Sequence, residues 1–244
     1  MATTITGTTI DVGTNVIVTD SAGNVGIGIS SPAEMLEIYN TSSPAIQLND
    51  GGDYKSIMRL AGNDLEIRGS SGSLEFYNGA ADGDSSDLAM KIDNAGIVTK
   101  PLQPAFLAYP TVAQQNIAAS TSTIVLDAER FDQGGDFNTG TSTFTAPVTG
   151  KYQFNLNVRI GALLDTGAAY YRTYITTSNG DYNPTIIDPN FTADLNYYHL
   201  CFSVLVDMDA GDTAYAQVQQ SGGTVQTDIN ADASQTNFSG YLVA

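Results

Sequence analysis

The chain has 244 residues and a net charge of −17, from nine Lys and Arg against 26 Asp and Glu. A polyphosphate backbone or an anionic lipid surface would be repelled, so neither nucleic acid nor membrane insertion is expected. One Cys and one His leave no internal disulfide framework, no multi-Cys zinc site and a single imidazole base.

Only 14% of residues are charged, against roughly 25% in ordinary soluble domains. Polarity comes instead from Thr, Ser, Asn, Gln and 24 glycines. With abundant Thr, Val and Ile, this is the composition of β-structure with many turns. Of the 22 Phe and Tyr, 18 lie in residues 101–244, whereas the acids divide 13 and 13. The second half therefore has the bulky side chains for its own core. The first must stack its strands or share them between chains.

The start, MATTITGTTIDVG, has neither the basic nor the apolar region of a signal peptide, and no apolar run reaches 18 residues. Within residues 1–100 a loose repeat is visible. Thr19-Asp20-Ser21-Ala22-Gly23-Asn24-Val25-Gly26-Ile27 is echoed by Ile92-Asp93-Asn94-Ala95-Gly96-Ile97-Val98. Each reads as strand, Asp-x-x-Gly turn, strand. Between them Ala45–Leu48, Ser56–Leu60, Asp64–Arg68 and Ser73–Tyr77 alternate as short strands, joined by turns at Asn49–Gly52, Ala61–Asn63 and Gly69–Gly72. A single sheet of such strands is marginal, which predicts a shaft or adaptor intertwined with copies of itself.

Gly23-Asn24-Val25-Gly26-Ile27-Gly28-Ile29-Ser30-Ser31-Pro32 resembles the Gly-Asn-Val-Gly-Ile-Gly-Thr-x-x-Pro signature of bacteriophage tail-fibre and other virion-fibre proteins, with Ile29 in place of Thr. It does not fit G-x-G-x-x-G, and no helical pattern follows that would offer an N-terminus to a phosphate, so the glycines are read as turn residues. Asp82-Gly83-Asp84-Ser85-Ser86-Asp87 has oxygen ligands of the kind calcium prefers, but lacks the Gly and Glu of an EF-hand loop and reads as a solvated turn.

Pro101 and Pro104 mark the predicted boundary between residues 1–100 and 101–244. Beyond it, Lys151–Ile160 makes nine unbroken steps of period two. Tyr152, Phe154, Leu156, Val158 and Ile160 fall on one face and Lys151, Gln153, Asn155, Asn157 and Arg159 on the other. Thr143–Ala146 is a short strand stopped by Pro147. Further strands are predicted over Tyr170–Thr176, Tyr198–Val206, Thr213–Gln219 and Asn237–Val243, with no helix. The fold class is all-β, most economically a jelly-roll sandwich, preceded by a short-stranded, glycine-rich fibrous segment.

Phe137–Phe154, with Phe144-Thr145-Ala146-Pro147 and Gly150-Lys151-Tyr152-Gln153-Phe154, is similar to the Phe-Thr-Ala-Pro-x-x-Gly-x-Tyr-x-Phe core of C1q-like globular heads. Val204–Asp212 resembles the strand leading to that family's Gly-Asp turn. Asn237-Phe238-Ser239-Gly240-Tyr241-Leu242-Val243 resembles its closing strand, and Pro104-Ala105-Phe106 its opening one. The absence of Trp is the one departure. The resemblance implies a ten-stranded jelly roll of the tumour-necrosis-factor type, a homotrimer, surface binding of proteins, lipids or glycans, and no catalytic centre.

Candidate sites follow from residue chemistry. His199 and Cys201 share a strand face, but no other His or Cys exists in the chain to complete a ligand set and packing is the simpler reading. Tyr170, Tyr171, Tyr174, Tyr182, Tyr197 and Tyr198 make the most tyrosine-rich stretch, suited to packing or to recognition. Asp181, Tyr182 and Asn183, flanked by turn residues, are the predicted binding loop. Asp207, Asp209 and Asp212 crowd one turn and are candidate calcium ligands, the alternative being a solvated acidic turn. No motif selects a carboxylate pair for glycosidase chemistry, so no enzyme is expected. The expected function is that of a virion structural protein, a trimeric phage fibre or spike whose first half attaches to capsid or tail and whose head contacts a host-surface glycan or protein. A capsid decoration protein is the alternative and a glycan depolymerase the third reading.

Overall fold

Alternation of apolar and polar residues governs the larger part of the molecule. The computed structural model describes residues 9–12, 15–19, 22–40, 44–49, 55–69, 72–78, 88–164, 167–193 and 195–244. The chain divides into two compact units, Met1–Lys100 and Pro101–Ala244. No helix occurs among the described residues.

Among the described residues the first unit holds three small sheets. Strands β1 (Thr9–Val12), β2 (Asn15–Thr19), β3 (Val25–Ile27) and β4 (Leu36–Ile38) pair in sequence, antiparallel except for the parallel β3–β4 pair. Strands β5 (Ala45–Asn49), β6 (Lys55–Ala61) and β7 (Asp64–Gly69) form the antiparallel meander that the spacing predicts. Strands β8 (Leu74–Tyr77), β9 (Leu88–Ile92) and β10 (Val98–Thr99) form the third sheet. In the second copy of the repeat, Gly96 N–H donates to the Asp93 carbonyl and the Asp93 carboxylate accepts from the N–H groups of Ala95 and Ile97, which closes the Asp-x-x-Gly turn. In the glycine-rich signature, Gly28 takes φ +79° and an added Cβ would run into the Tyr39 carbonyl oxygen, so a side chain there is blocked twice over. The Asp82–Asp87 cluster lies outside the described residues.

The second unit is a β-sandwich. Its strands in chain order are β11 (Ala105–Tyr109), β12 (Thr121–Thr123), β13 (Ala128–Gln133), β14 (Phe137–Asn138), β15 (Thr143–Thr145), β16 (Gly150–Leu164), β17 (Ala168–Thr177), β18 (Gly180–Tyr182), β19 (Ile186–Ile187), β20 (Leu195–Met208), β21 (Thr213–Gly222), β22 (Asp228–Ile229) and β23 (Asn237–Leu242). One sheet runs β13-β11-β23-β16-β20, with β22 on β16. The other runs β14-β15-β21-β17-β18, with β12 on β21 and β19 on β17. Five strands on each main path give the ten-stranded jelly roll implied by the resemblance.

The faces of β16 fall as the alternation predicts. Tyr152, Phe154, Leu156, Val158 and Ile160 are all buried, while Lys151, Gln153, Asn155, Asn157 and Arg159 look outward. Phe106 is the hub of the core, stacked on Phe137 and on Phe144 with both centroid distances 4.9 Å, and edge-on to Phe238 at 5.2 Å. The connected buried core lies wholly between Phe106 and Phe238. Among the described side chains of Met1–Lys100, only Gly26 and Pro32 are buried.

Candidate functional site

Three segments meet at one residue, two of them through its carboxylate and the third through its backbone. The β20–β21 turn is tight, with Gly211 at φ +93° and the Asp212 N–H donating to the Asp209 carbonyl. Asp212 Oδ2 accepts from the Asp209 N–H (2.8 Å) and from Asn179 Nδ2 (2.6 Å), and Oδ1 accepts from Ser178 Oγ (2.8 Å). Ser178 and Asn179 form the β17–β18 turn. The Ala146 N–H and carbonyl, at the end of β15, pair with Asp212 and Gly211. Those donors, Ser178 first, hold the Asp212 carboxyl below its ordinary value of 3.8.

The neighbouring acids are also engaged. Asp207 pairs across the sheet with Lys151 (3.3 Å), and Asp209 Oδ1 accepts from Thr149 Oγ1 (3.4 Å). Among the described residues no group of three or more His, Cys, Asp or Glu is arranged to hold a metal ion. Asp207, Asp209 and Asp212 therefore form no cation cage within one chain. Asp212 is a buckle between loops.

The predicted binding loop lies beside this buckle. Asp181 and Asn183 are exposed, but Tyr182 sits on β18 opposite Ile175 and packs against the core. The expectation that flanking turns would expose all three is thus corrected for Tyr182. The two-residue turn folds β18 straight back onto β17, and its register points that ring inward. Nor is the tyrosine-rich stretch one surface. Tyr171 is buried with its hydroxyl on Thr227 Oγ1 (2.8 Å), and Tyr174 is buried and donates to Gln219 Oε1 (2.6 Å). Tyr197 and Tyr198 are exposed.

His199 and Cys201 do share a face of β20, and it is the outer one. His199 stands opposite Arg159 and Cys201 opposite Asn157. The Arg159 guanidinium lies 4.1 Å from the Tyr197 ring centroid, and these two with Tyr198 and His199 line a shallow depression of about 330 Å³.

Sequence reasoning did not isolate the broad outer face of the β13-β11-β23-β16-β20 sheet. Two rows of residues cross its five strands in register. One reads Phe131, Leu107, Ser239, Asn155, Ser203 and the other Gln133, Ala105, Tyr241, Gln153, Leu205. None of the ten is charged. The outer face of β16 signalled neutrality by its Gln and Asn residues, but the aromatic and aliphatic members arrive from four other strands.

A family model described as the C1q domain matches residues 105–243. Among solved structures, the globular domain of zebrafish complement 1qA protein is similar at 16% identity and a TM-score of 0.42, covering 58% of this chain and 98% of that one. Murine APRIL is similar at 8% identity and a TM-score of 0.43, covering 58% of this chain and 99% of that one. No curated protein matches the sequence. With the C1q domain occupying 139 of its 244 residues, the chain belongs to the C1q domain family.

Proposed function

We propose that the protein is a homotrimeric fibre or spike subunit on the surface of a virion, whose C1q head recognises a host-surface glycan or protein. C1q/TNF-like domains are generally non-enzymatic binding or structural domains, often trimeric. The observation that carries self-association here is the uncharged outer face. In a chain of net charge −17, ten adjacent positions without a charge, with Phe131, Leu205 and Tyr241 half-exposed among amides and hydroxyls, have the composition of an interface core. Three heads on one axis present three weak sites to one surface, so avidity supplies the adhesion. Support for the virion setting is the resemblance of Gly23–Pro32 to fibre proteins, joined to short glycine-turned sheets.

Exposed apolar side chains in Met1–Lys100 favour a second reading, docking of that unit on a capsid as a decoration protein. Light scattering on the full chain tests the trimer, with a monomeric mass refuting it. Adsorption of the purified protein to host cells and gold labelling of virions separate the two readings. Binding to cells, weakened by Asp181→Ala or Asn183→Ala with the trimer intact, supports recognition. Binding to capsids without binding to cells replaces it with decoration. Tyr182→Ala is unsuitable for this test, because the ring is also part of the packing.

A further inference from the structure

The β5–β6–β7 sheet is amphipathic in a way that the chain leaves half unsatisfied. Cross-strand register puts Ile46, Met58 and Ile67 in one row, and Leu60 beside Leu65 in the next. With Leu48 these six aliphatic side chains share one face, where Ser56 opposite Leu48 is the polar member, and each of the six is between 46% and 70% exposed. The opposite face carries Gln47, Arg59, Glu66 and Arg68, with Ile57 between Gln47 and Arg68. There the Glu66 carboxylate accepts from Arg59 Nε (2.7 Å) and from an Arg68 guanidinium nitrogen (3.0 Å). Polar residues are thus paired and solvated on one side, and the apolar side faces water. Two apolar grooves of about 230 and 340 Å³ flank it, the first reaching Leu74 of β8 and the second Leu36 and Ile38 of β4.

Resting on the homotrimeric reading, we propose that this face is the inner wall of a three-chain shaft. Its occupant is the same face of two other copies of the chain. Symmetry carries the argument. A C1q head that trimerises brings three identical sheets together, because each is joined to its head through the same chain, and effective concentration does the rest. A face of six aliphatic side chains is complementary to itself, whereas a charged or hydrogen-bonding partner would find only the Ser56 hydroxyl to pair with on it. Turning three such faces inward leaves Arg59–Glu66–Arg68 outward on each side, as a water-facing wall requires. The grooves on either flank receive side chains of the neighbouring copies. An anionic lipid surface is disfavoured as occupant by the net charge.

Site-directed cross-linking of the full chain tests this. In a Cys201→Ser background, Met58→Cys and, separately, Ile46→Cys place one thiol on the apolar face, and Gln47→Cys places one on the polar face. The expected result is covalent dimers from the apolar-face variants on mild oxidation or with a short bis-maleimide, and monomer from Gln47→Cys. Light scattering on the same samples before cross-linking reports the trimer. A trimeric mass with no cross-link at position 46 or 58 overturns the shaft wall while leaving the trimeric head standing. A monomeric mass overturns the trimer itself. Equal cross-linking from position 47 overturns the assignment of faces, and flotation with neutral vesicles that blocks the cross-link overturns the occupant.

Discussion

Gly240 is the position where the core most directly constrains the sequence. It lies on β23 between β11 and β16, in register with Phe106 on one side and Phe154 on the other. Its backbone is not in the left-handed region, so alanine is conformationally acceptable and only space decides. A Cβ there would sit 2.5 Å from Phe154 Cδ1, 2.7 Å from Cε1 and 2.9 Å from Phe106 Cε1, where carbon atoms settle at about 3.5–4.0 Å. Neither ring can retreat. Phe154 is stacked on Phe238 (5.4 Å) and Tyr152 (6.2 Å) and meets Phe144 edge-on (5.6 Å), while Phe106 is clasped between Phe137 and Phe144.

Overpacking of this kind costs about 1–3 kcal/mol. Alanine recovers roughly 0.5–1 kcal/mol over glycine in a strand interior. With three contacts under 3.0 Å to rings that cannot move, the upper half of that range, about 2–3 kcal/mol, applies, so Gly240→Ala is expected to destabilise the head by about 1–2.5 kcal/mol net, lowering Tm by roughly 3–10 °C for a domain of this size. Scanning calorimetry with near-ultraviolet dichroism of the tyrosines measures it. A Tm equal to or above wild type would refute the packing argument. The mechanism has its own check in a double-mutant cycle. Phe154→Leu removes the ring edge that the methyl strikes, so it should cost less in the Gly240→Ala background than alone, and simple additivity would mean that the two positions do not touch.

Other expectations rest on charge. Asp136 has a buried Oδ2 without a hydrogen-bond partner, and burial, with Asp132 nearby, raises its pKa above the ordinary 3.8. A raised carboxyl penalises the fold above its folded pKa and ceases to do so as pH falls through the carboxylate range, so Asp136→Asn should melt above wild type at neutral pH and converge with it in acid. A constant difference across a pH series of melts would show that ionisation is not the cause. Because Asp212 serves as a loop buckle and its neighbours already have partners, calcium and chelator should give the same Tm, and a rise with calcium would place an ion at Asp207, Asp209 and Asp212 after all. Each head carries 4 − 13 = −9, so salt should tighten the trimer by screening; loosening by salt in sedimentation experiments would indicate an ion-paired interface instead.

What could be read from the sequence, and what could not, divides by the range of the interaction. The faces of β16 were legible because nine steps of alternation admit one parity, and Phe106, Phe144 and Phe238 were legible as landmarks of a known head. His199 and Cys201 were placed on one face correctly, but β20 carries apolar residues on both faces. Only the burial of Leu200, Val206 and Met208 decides that the thiol looks outward. Tyr182 was misread for the same reason, since its parity is set by pairing with Ile175 and not by the polar residues around it. The Asp212 buckle joins side chains 33 and 34 positions apart, and no local pattern encodes a bond across two turns of a sandwich. The neutral outer face was missed because it is a property of five strands in register.

The two surfaces proposed for association differ in chemistry, and that difference would fix their order of action in the proposed assembly. The outer face of the head mixes Phe131, Leu205 and Tyr241 with amides and hydroxyls, groups whose hydrogen bonds are satisfied in only a few mutual orientations. The β5–β6–β7 face is aliphatic but for Ser56. Its attraction is proportional to area and nearly indifferent to register, and in a short sheet a slip between chains would cost little. Three copies of residues 1–100 meeting alone would therefore associate without agreeing on alignment, and their exposed faces would recruit further chains as readily as close a trimer. In that assembly the head, with its own complete aromatic core, would supply the directional contact and the limited stoichiometry that the aliphatic sheet lacks. Aligned from the C-terminal side, the same sheet would close on two partners and would no longer be available to a fourth.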